Sequence, residues 1–227
     1  MKILRSTWVT VVALVVSALL GALAGPVPSA AVTAREVVDQ VQARLNEHRT
    51  LSARFEKHFY WAALDKRSTS QGRVYLERPS RFRVEIADGD VVVADGKAIW
   101  SYSPGNNQVV VSPYQGEIRT PWEMLLDYTE GLAPVAVEEA ELGRRACYLV
   151  TLQPQASGSV VTGMKVWVER ATWLVQQVEQ TEANDNVTTY VLLDQKTNTR
   201  LRDDLFRFRP PAGAEIVDRR GTGSGDR

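Results

Sequence analysis

The sequence has few of the residues that usually carry chemistry. It contains one cysteine, Cys147, and two histidines, His48 and His58. One cysteine cannot form an intramolecular disulfide bond, and a zinc site needs three or four ligands with compatible spacing. A G-x-S-x-G nucleophile elbow and a phosphate-binding P-loop are also missing from the sequence. We therefore expect no metal site, no cofactor and no enzymatic activity.

An excess of charge of one sign is also lacking. The 227 residues include 27 Lys or Arg and 27 Asp or Glu residues, and basic side chains dominate no single segment. Proteins that bind nucleic acid usually concentrate positive charge on one face or along one element. The charge distribution therefore argues against nucleic acid as a partner.

The N-terminal residues have the pattern of a secretory signal peptide. Lys2 and Arg5 form a short basic head, residues 9–23 are largely apolar, and residues 29–31 are small. The apolar run is short for a membrane span, which needs about 20 residues. We predict a cleavable signal peptide over residues 1–31 and a periplasmic protein, with a retained N-terminal anchor as the alternative.

Two stretches have helical patterns. Thr33 and Glu36 form a capping box in front of apolar residues at helical spacing, which predicts a helix over residues 34–48. A second capping box over residues 120–123 predicts a short helix that Gly131 ends.

The rest of the chain alternates apolar and polar residues, as half-buried antiparallel strands do. Asp95-Gly96 predicts a tight hairpin turn, and Phe206 and Phe208 are expected on one face of a last short strand. A sheet of about ten or eleven strands must curl or close. We predict a mainly β (α+β) fold over residues 32–218, an incomplete antiparallel β-barrel whose two helices lie across its open mouth. A disordered tail is expected over residues 219–227.

Several short motifs follow one another along this pattern, each of them weak alone. They are A-R-F-E at 53–56, Gly72 before V-Y-L-E-R-P, Arg78-Pro79 before R-F-R-V, D-G-K at 95–97 before I-W-S-Y, Thr120-Pro121 before Leu125-Leu126, and F-R-F-R-P-P-A-G at 206–213. In this order and spacing the chain resembles the periplasmic lipoprotein carrier family LolA over its whole mature length.

The resemblance implies a half-barrel with a helical lid over a hydrophobic cavity that takes acyl chains. It implies a carrier of triacylated lipoproteins. Such carriers accept their cargo from an inner-membrane ABC lipoprotein-release complex and deliver it to an outer-membrane receptor lipoprotein. A monomer is expected.

The resemblance also suggests site residues. Arg78 matches the gating arginine that contacts the lid and controls opening. The residues expected to line the acyl cavity come from three strands and the second helix: Phe55, Phe82, Val84, Ile86, Trp100, Trp122, Leu125 and Leu126.

Other functions on the same fold remain open. A lipid-sensing regulatory protein usually carries a second domain, for which a mature chain of about 195 residues leaves no room. The outer-membrane receptor would need a lipidated N-terminal cysteine, whereas the cysteine here is Cys147. A carrier of another lipid or glycolipid is the remaining alternative.

Overall fold

The computed structural model of the chain describes residues 31–87, 89–114, 116 and 131–221. The chain divides into Met1–Ala31 and Val32–Arg227, and the fold lies in the second unit. Within the described residues, every helix is too short or too polar to cross a bilayer.

The first predicted helix is confirmed as α1, Ala34–Glu47. The Thr33 hydroxyl accepts a hydrogen bond from the Glu36 amide at 3.2 Å, and the Glu36 carboxylate accepts one from the Thr33 amide at 2.7 Å. This reciprocal pair satisfies two of the amides that a helix start leaves without partners. One face of α1 is buried, through Ala34, Val37, Val41 and Leu45. The helix predicted from Thr120 lies outside the described residues.

Twelve strands follow among the described residues, one or two more than predicted. They are β1 (Thr50–Trp61), β2 (Lys66–Glu77), β3 (Arg81–Ile86), β4 (Val91–Asp95), β5 (Ala98–Ser103), β6 (Gln108–Pro113), β7 (Leu132–Leu142), β8 (Arg145–Pro154), β9 (Val161–Glu169), β10 (Val175–Glu182), β11 (Val187–Thr197) and β12 (Glu215–Asp218). The Asp95-Gly96 turn between β4 and β5 is confirmed.

All twelve strands belong to one sheet, in the order β12-β6-β5-β4-β3-β2-β1-β11-β10-β9-β8-β7. Neighbouring strands are antiparallel, except that β12 runs parallel to β6. The sheet is open, with β12 and β7 at its two ends. The fold class is therefore the predicted one: a mainly β protein with an unclosed sheet.

The end of the chain differs from the prediction. Phe206 lies in a 3₁₀ turn, Asp203–Phe206, and the last strand comes later, as β12. The expected strand through Phe206 and Phe208 is therefore wrong. Residues 198–218, which we call the C-terminal segment, lie against the sheet: their 3₁₀ turn contacts β3 and β4, and Phe206 is buried there.

The sheet has an inner face, which packs against α1, and an outer face on the opposite side. On the inner face, buried apolar side chains from β1–β4 and β8–β11 form one cluster with α1. On the outer face, a smaller cluster of Ala98, Val109 and Val111 packs against Trp100, Tyr102 and Phe208. The C-terminal segment therefore covers β5 and β6 from outside.

Candidate functional site

The inner face gathers four of the predicted cavity residues. Phe55 from β1 and Phe82 and Val84 from β3 are buried in the inner cluster, and Ile86 packs against it with partial exposure. Since successive side chains of a strand point to opposite faces, Phe82, Val84 and Ile86 share one side of β3. These four residues form the candidate site.

A glycine makes room for the largest of these side chains. Gly72 of β2 is paired with Phe55 of β1. A Cβ atom at position 72 would overlap the Phe55 ring and the carbonyl oxygen of Glu85. The Phe55 ring therefore packs directly on the backbone of Gly72. It also makes an edge-to-face contact with the Tyr190 ring, with 5.3 Å between the centroids. Gly72, which precedes V-Y-L-E-R-P in the sequence, thus serves packing on the inner face.

Helix α1 lies toward one end of the sheet. It contacts β7 and β8. Toward the other end, the inner face carries apolar side chains that keep partial exposure to solvent. These are Ile86, Val92, Ile99 and Tyr114. The inner face is thus a broad apolar surface, whose most deeply buried part lies with α1.

Trp100 does not join this surface. Its indole N–H donates to Asp95 Oδ2 at 3.2 Å, and its ring stacks on Phe208 with 6.0 Å between the centroids. The register of the sheet explains this position, because Arg83 pairs with Val93 and Val93 pairs with Trp100. Trp100 therefore shares the outer face with Arg83, and the expectation that it lines the cavity is corrected. Trp122, Leu125 and Leu126 lie outside the described residues.

Arg78 lies in the turn between β2 and β3 and reaches α1. Its guanidinium Nη1 donates a hydrogen bond to Asn46 Oδ1 in the last turn of the helix. Its backbone amide donates to the carbonyl oxygen of Arg49 at 2.9 Å. The predicted gating residue thus connects the sheet to the C-terminal end of α1, through a side chain of the helix.

Sequence reasoning missed a charged groove on the outer face. The Glu77 side chain is only 8% exposed, and its carboxylate forms ion pairs with Arg49 at 3.3 Å and with Arg81 at 2.7 Å. Arg81 forms a second ion pair, with Asp203 at 3.3 Å. These residues line a groove of about 910 Å³ together with residues 198–202. Arg49 and Asp203 are far from Glu77 and Arg81 in sequence, so no local motif signals the groove. The polar lining suits ions rather than acyl chains.

Two titratable groups of the described residues, Cys147 and Asp95, have shifted pKa values with clear physical causes. Burial, assisted by the negative charge of Glu169, raises the pKa of the Cys147 thiol, which disfavours a thiolate nucleophile. Burial also acts to raise the pKa of Asp95, but hydrogen bonds from the Ala98 and Lys97 amides outweigh it and hold that pKa below its usual value. Among the described residues, no group of three or more His, Cys, Asp or Glu side chains could hold a metal ion.

Known proteins match the chain over most of its length. The model of the family described as "Outer membrane lipoprotein carrier protein LolA" matches residues 46–209. A protein of Histophilus somni named outer-membrane lipoprotein carrier protein is 27% identical over 192 residues, which are 83% of this chain and 91% of the relative. A protein of the same name from Legionella pneumophila is 28% identical over 181 residues, which are 78% of this chain and 87% of the relative.

The fold is also found in a solved structure. A protein of Thermus thermophilus described as an uncharacterized conserved protein superposes with a TM-score of 0.55 at 20% identity, over 82% of this chain and 99% of that one. At this identity the likeness concerns the fold alone.

Proposed function

The chain belongs to the LolA family of outer-membrane lipoprotein carriers, and we propose that it carries lipoproteins through the periplasm with their acyl chains on the inner face. The observation that supports this proposal is the apolar inner face, where Phe55, Phe82 and Val84 are buried and further apolar side chains stay partly exposed. Apolar contacts are non-directional, so acyl chains can replace protein side chains there.

The energetics favour a cover that competes with the cargo. Burying an acyl chain contributes about 0.8 kcal/mol per CH₂ group. Three fully buried chains would exceed the practical limit of non-covalent affinity, which lies near 20 kcal/mol. A carrier that has to release its cargo therefore needs an alternative partner for its apolar surface. In our proposal α1 is part of that partner, because its face of Val37, Val41 and Leu45 is already buried on the inner cluster.

Arg78 is the proposed latch of the closed state. Its hydrogen bond to Asn46 exists while α1 lies on the inner face, and moving the helix to admit cargo would break it. The bond therefore favours the empty, closed protein over the loaded one, and helps release. The second helix, with which the resemblance pairs Arg78, lies outside the described residues; among the described residues the Arg78 side chain bonds to a side chain of α1.

The remaining steps of the proposal follow the family. Residues 1–31 direct export and are removed, and the mature protein acts as a monomer without catalysing a reaction. It receives triacylated lipoproteins from an inner-membrane ABC complex and passes them to an outer-membrane receptor lipoprotein. The names of the relatives from Histophilus somni and Legionella pneumophila support the class of cargo.

Native mass spectrometry of the protein purified from its own periplasm tests the proposal. We expect adducts whose mass equals that of triacylated lipoproteins. Phospholipid or glycolipid adducts would instead identify a carrier of another lipid. Protein that carries no acylated molecule after export would contradict the proposal.

Two neighbouring substitutions on β3 locate the cargo. Ile86→Ser changes the partly exposed inner side of the strand, and Glu85→Gln changes the outer side at the next residue. We expect Ile86→Ser to bind several-fold less lipoprotein than the unchanged protein, and Glu85→Gln to bind the same amount. Equal occupancy of the two variants would place the cargo elsewhere.

A further inference from the structure

The turn between β1 and β2 carries four consecutive apolar residues. They are Trp61-Ala62-Ala63-Leu64, which we call the hairpin tip. The Trp61 and Leu64 side chains are 48% and 50% exposed. Turns are usually polar, and a run of exposed apolar residues is unfavourable unless it has a function. The exposed apolar residues of the hairpin tip therefore indicate a binding surface.

The shape of the hairpin tip is fixed by its own polar contacts. The Tyr60 hydroxyl donates to Asp65 Oδ1 at 3.0 Å, and the Asp65 amide donates to the Ala62 carbonyl oxygen at 3.2 Å. The Arg67 guanidinium lies 4.3 Å from the centroid of the Tyr60 ring. The backbone that carries Trp61 and Leu64 is thus held in one turn, which lowers the ordering that binding through them requires.

The hairpin tip extends beyond β3 on one side and lies beside the turn between β10 and β11 on the other. Strands β1 and β2 pair along their whole length, up to Trp61 with Lys66, whereas β3 pairs with Gly72–Glu77 of β2. Residues 66–70 therefore extend beyond β3. On the other side, the Ala62 amide donates to Asn186 Oδ1 at 3.1 Å in the turn between β10 and β11. In the same turn, the Ala183 amide donates a hydrogen bond to the carbonyl oxygen of Val160 at 2.8 Å, and Val160 is 49% exposed.

Trp61 of the hairpin tip shares one side of β1 with residues of the inner face. The register of β1 with β2 runs without a shift from Thr50 to Trp61. Strand alternation therefore places Trp61 on the same side of β1 as Phe55 and Phe59. Lys57 lies between Phe55 and Phe59 on this side of the strand, with its ammonium group 5.6 Å from the centroid of the Tyr190 ring. One basic residue therefore separates the inner cluster from the two aromatic residues that lead to the tip.

We propose that the hairpin tip inserts into the headgroup region of a phospholipid bilayer. Tryptophan favours that region because its ring is apolar and its N–H is polar, and Leu64 adds an aliphatic side chain. Lys66 and Arg67 are exposed directly behind the tip, where their charges can reach lipid phosphates. Two large side chains are too few for a stable protein interface, which buries about 800 Å² on each partner.

This inference deepens the proposed function, since insertion would bring the inner side of β1 to the membrane from which acyl chains arrive or into which they pass. The binding itself needs no cargo. Flotation of the purified protein with vesicles of phosphatidylethanolamine and phosphatidylglycerol therefore tests it separately. We expect the protein to float with the vesicles, and Trp61→Ser together with Leu64→Ser to lower its vesicle partition coefficient about tenfold, equivalent to about 1.4 kcal/mol.

Ile216→Ser is the matched control. It removes an exposed aliphatic side chain, 54% accessible, from β12 at the edge of the sheet. We expect this variant to float like the unchanged protein. Thermal unfolding of all variants shows whether they remain folded, which surface substitutions of this kind permit.

Fluorescence and cargo analysis complete the test. The emission of the unchanged protein, after subtraction of the emission of Trp61→Phe, should shift to shorter wavelength when vesicles are added. Failure of the unchanged protein to float, or flotation of the double variant at the same level, would overturn the insertion. Native mass spectrometry distinguishes failure of this inference from failure of the proposed function. A double variant that no longer floats but still carries acylated cargo supports both proposals. Missing cargo in the unchanged protein contradicts the carrier function and leaves membrane insertion unaffected.

Discussion

The two faces of the sheet are covered in different ways. The C-terminal segment lies on the outer face and is attached both by the buried ring of Phe206 and by several directional contacts. Arg83 donates to the Leu205 carbonyl oxygen at 3.2 Å, Phe208 stacks on Trp100, and β12 extends the sheet beside β6. Helix α1 lies on the inner face, where its buried residues are apolar and Arg78 bonds to Asn46.

This difference assigns the faces different tasks. Hydrogen bonds and ion pairs specify one partner and one geometry, and leaving them unmade is costly when they are buried. Apolar contacts depend mainly on the area removed from water and can be exchanged for other apolar groups. The outer cover is therefore suited to hold the curved sheet in shape, and the inner cover is suited to be displaced.

Removing the aromatic anchor of the outer cover should have the largest effect. Phe206 is 1% exposed, and the Arg81 guanidinium lies over its ring, 5.0 Å from the centroid of that ring. We expect Phe206→Ala to lower the free energy of unfolding by about 3–5 kcal/mol, because it leaves a cavity at a well-packed site. Urea denaturation measures this change.

Phe208→Ala provides the comparison within the same segment. Phe208 is half-buried, so its removal exposes less new surface and should destabilise the protein less. A loss below about 1 kcal/mol for Phe206→Ala would show that the outer cover is not a fixed part of the fold.

The ion pairs of the outer face should have an intermediate effect. Glu77→Gln keeps the shape of a side chain that is 8% exposed but removes the charge that Arg49 and Arg81 share. We expect the free energy of unfolding to fall by about 1–3 kcal/mol, which is typical when a buried charged hydrogen bond loses a partner. Urea denaturation at neutral pH measures it.

An exposed ion pair in the C-terminal segment is the control. Arg202 and Asp204 are bonded, yet both side chains are largely accessible. Asp204→Asn should leave the free energy of unfolding nearly unchanged, because solvent screens exposed ion pairs. If the two substitutions had equal effects, the burial of Glu77 would have no energetic role.

Local signals predicted some of these features and could not predict others. Helix α1 and the Asp95-Gly96 turn follow from capping and turn preferences that act within a few residues. The inner side of β3 follows from alternation alone. The position of Trp100 depends on how β3, β4 and β5 are aligned, and a shift of one residue moves a side chain to the other face.

The C-terminal segment shows the same limit more strongly. The F-R-F-R alternation around Phe206 is that of a strand, but its backbone forms a 3₁₀ turn and β12 pairs in parallel with β6. Such pairing joins residues that are far apart in sequence and leaves no periodic mark. The groove around Glu77 was missed for the same reason, since Asp203 reaches it only through the path of this segment.

Breaking the polar contact of the inner cover should change stability least and release most. Arg78→Leu removes the hydrogen bond to Asn46, which is worth about 1 kcal/mol, or roughly a fivefold shift between closed and open forms. We expect loading with lipoprotein to persist and transfer to the receptor to slow by up to about fivefold. A transfer assay with purified receptor and loaded carrier measures the rate.

The partner of the bond supplies the decisive control. Asn46→Ala removes the same contact from the helix side, so it should slow transfer to the same extent as Arg78→Leu. Arg35→Leu removes a pair with Asp39 that lies within α1 and should leave the rate unchanged. Slow transfer in Arg78→Leu with normal transfer in Asn46→Ala would assign Arg78 a role other than a latch on α1. Normal transfer in both would mean that the inner cover is held by its apolar contacts, and that release depends on the receptor.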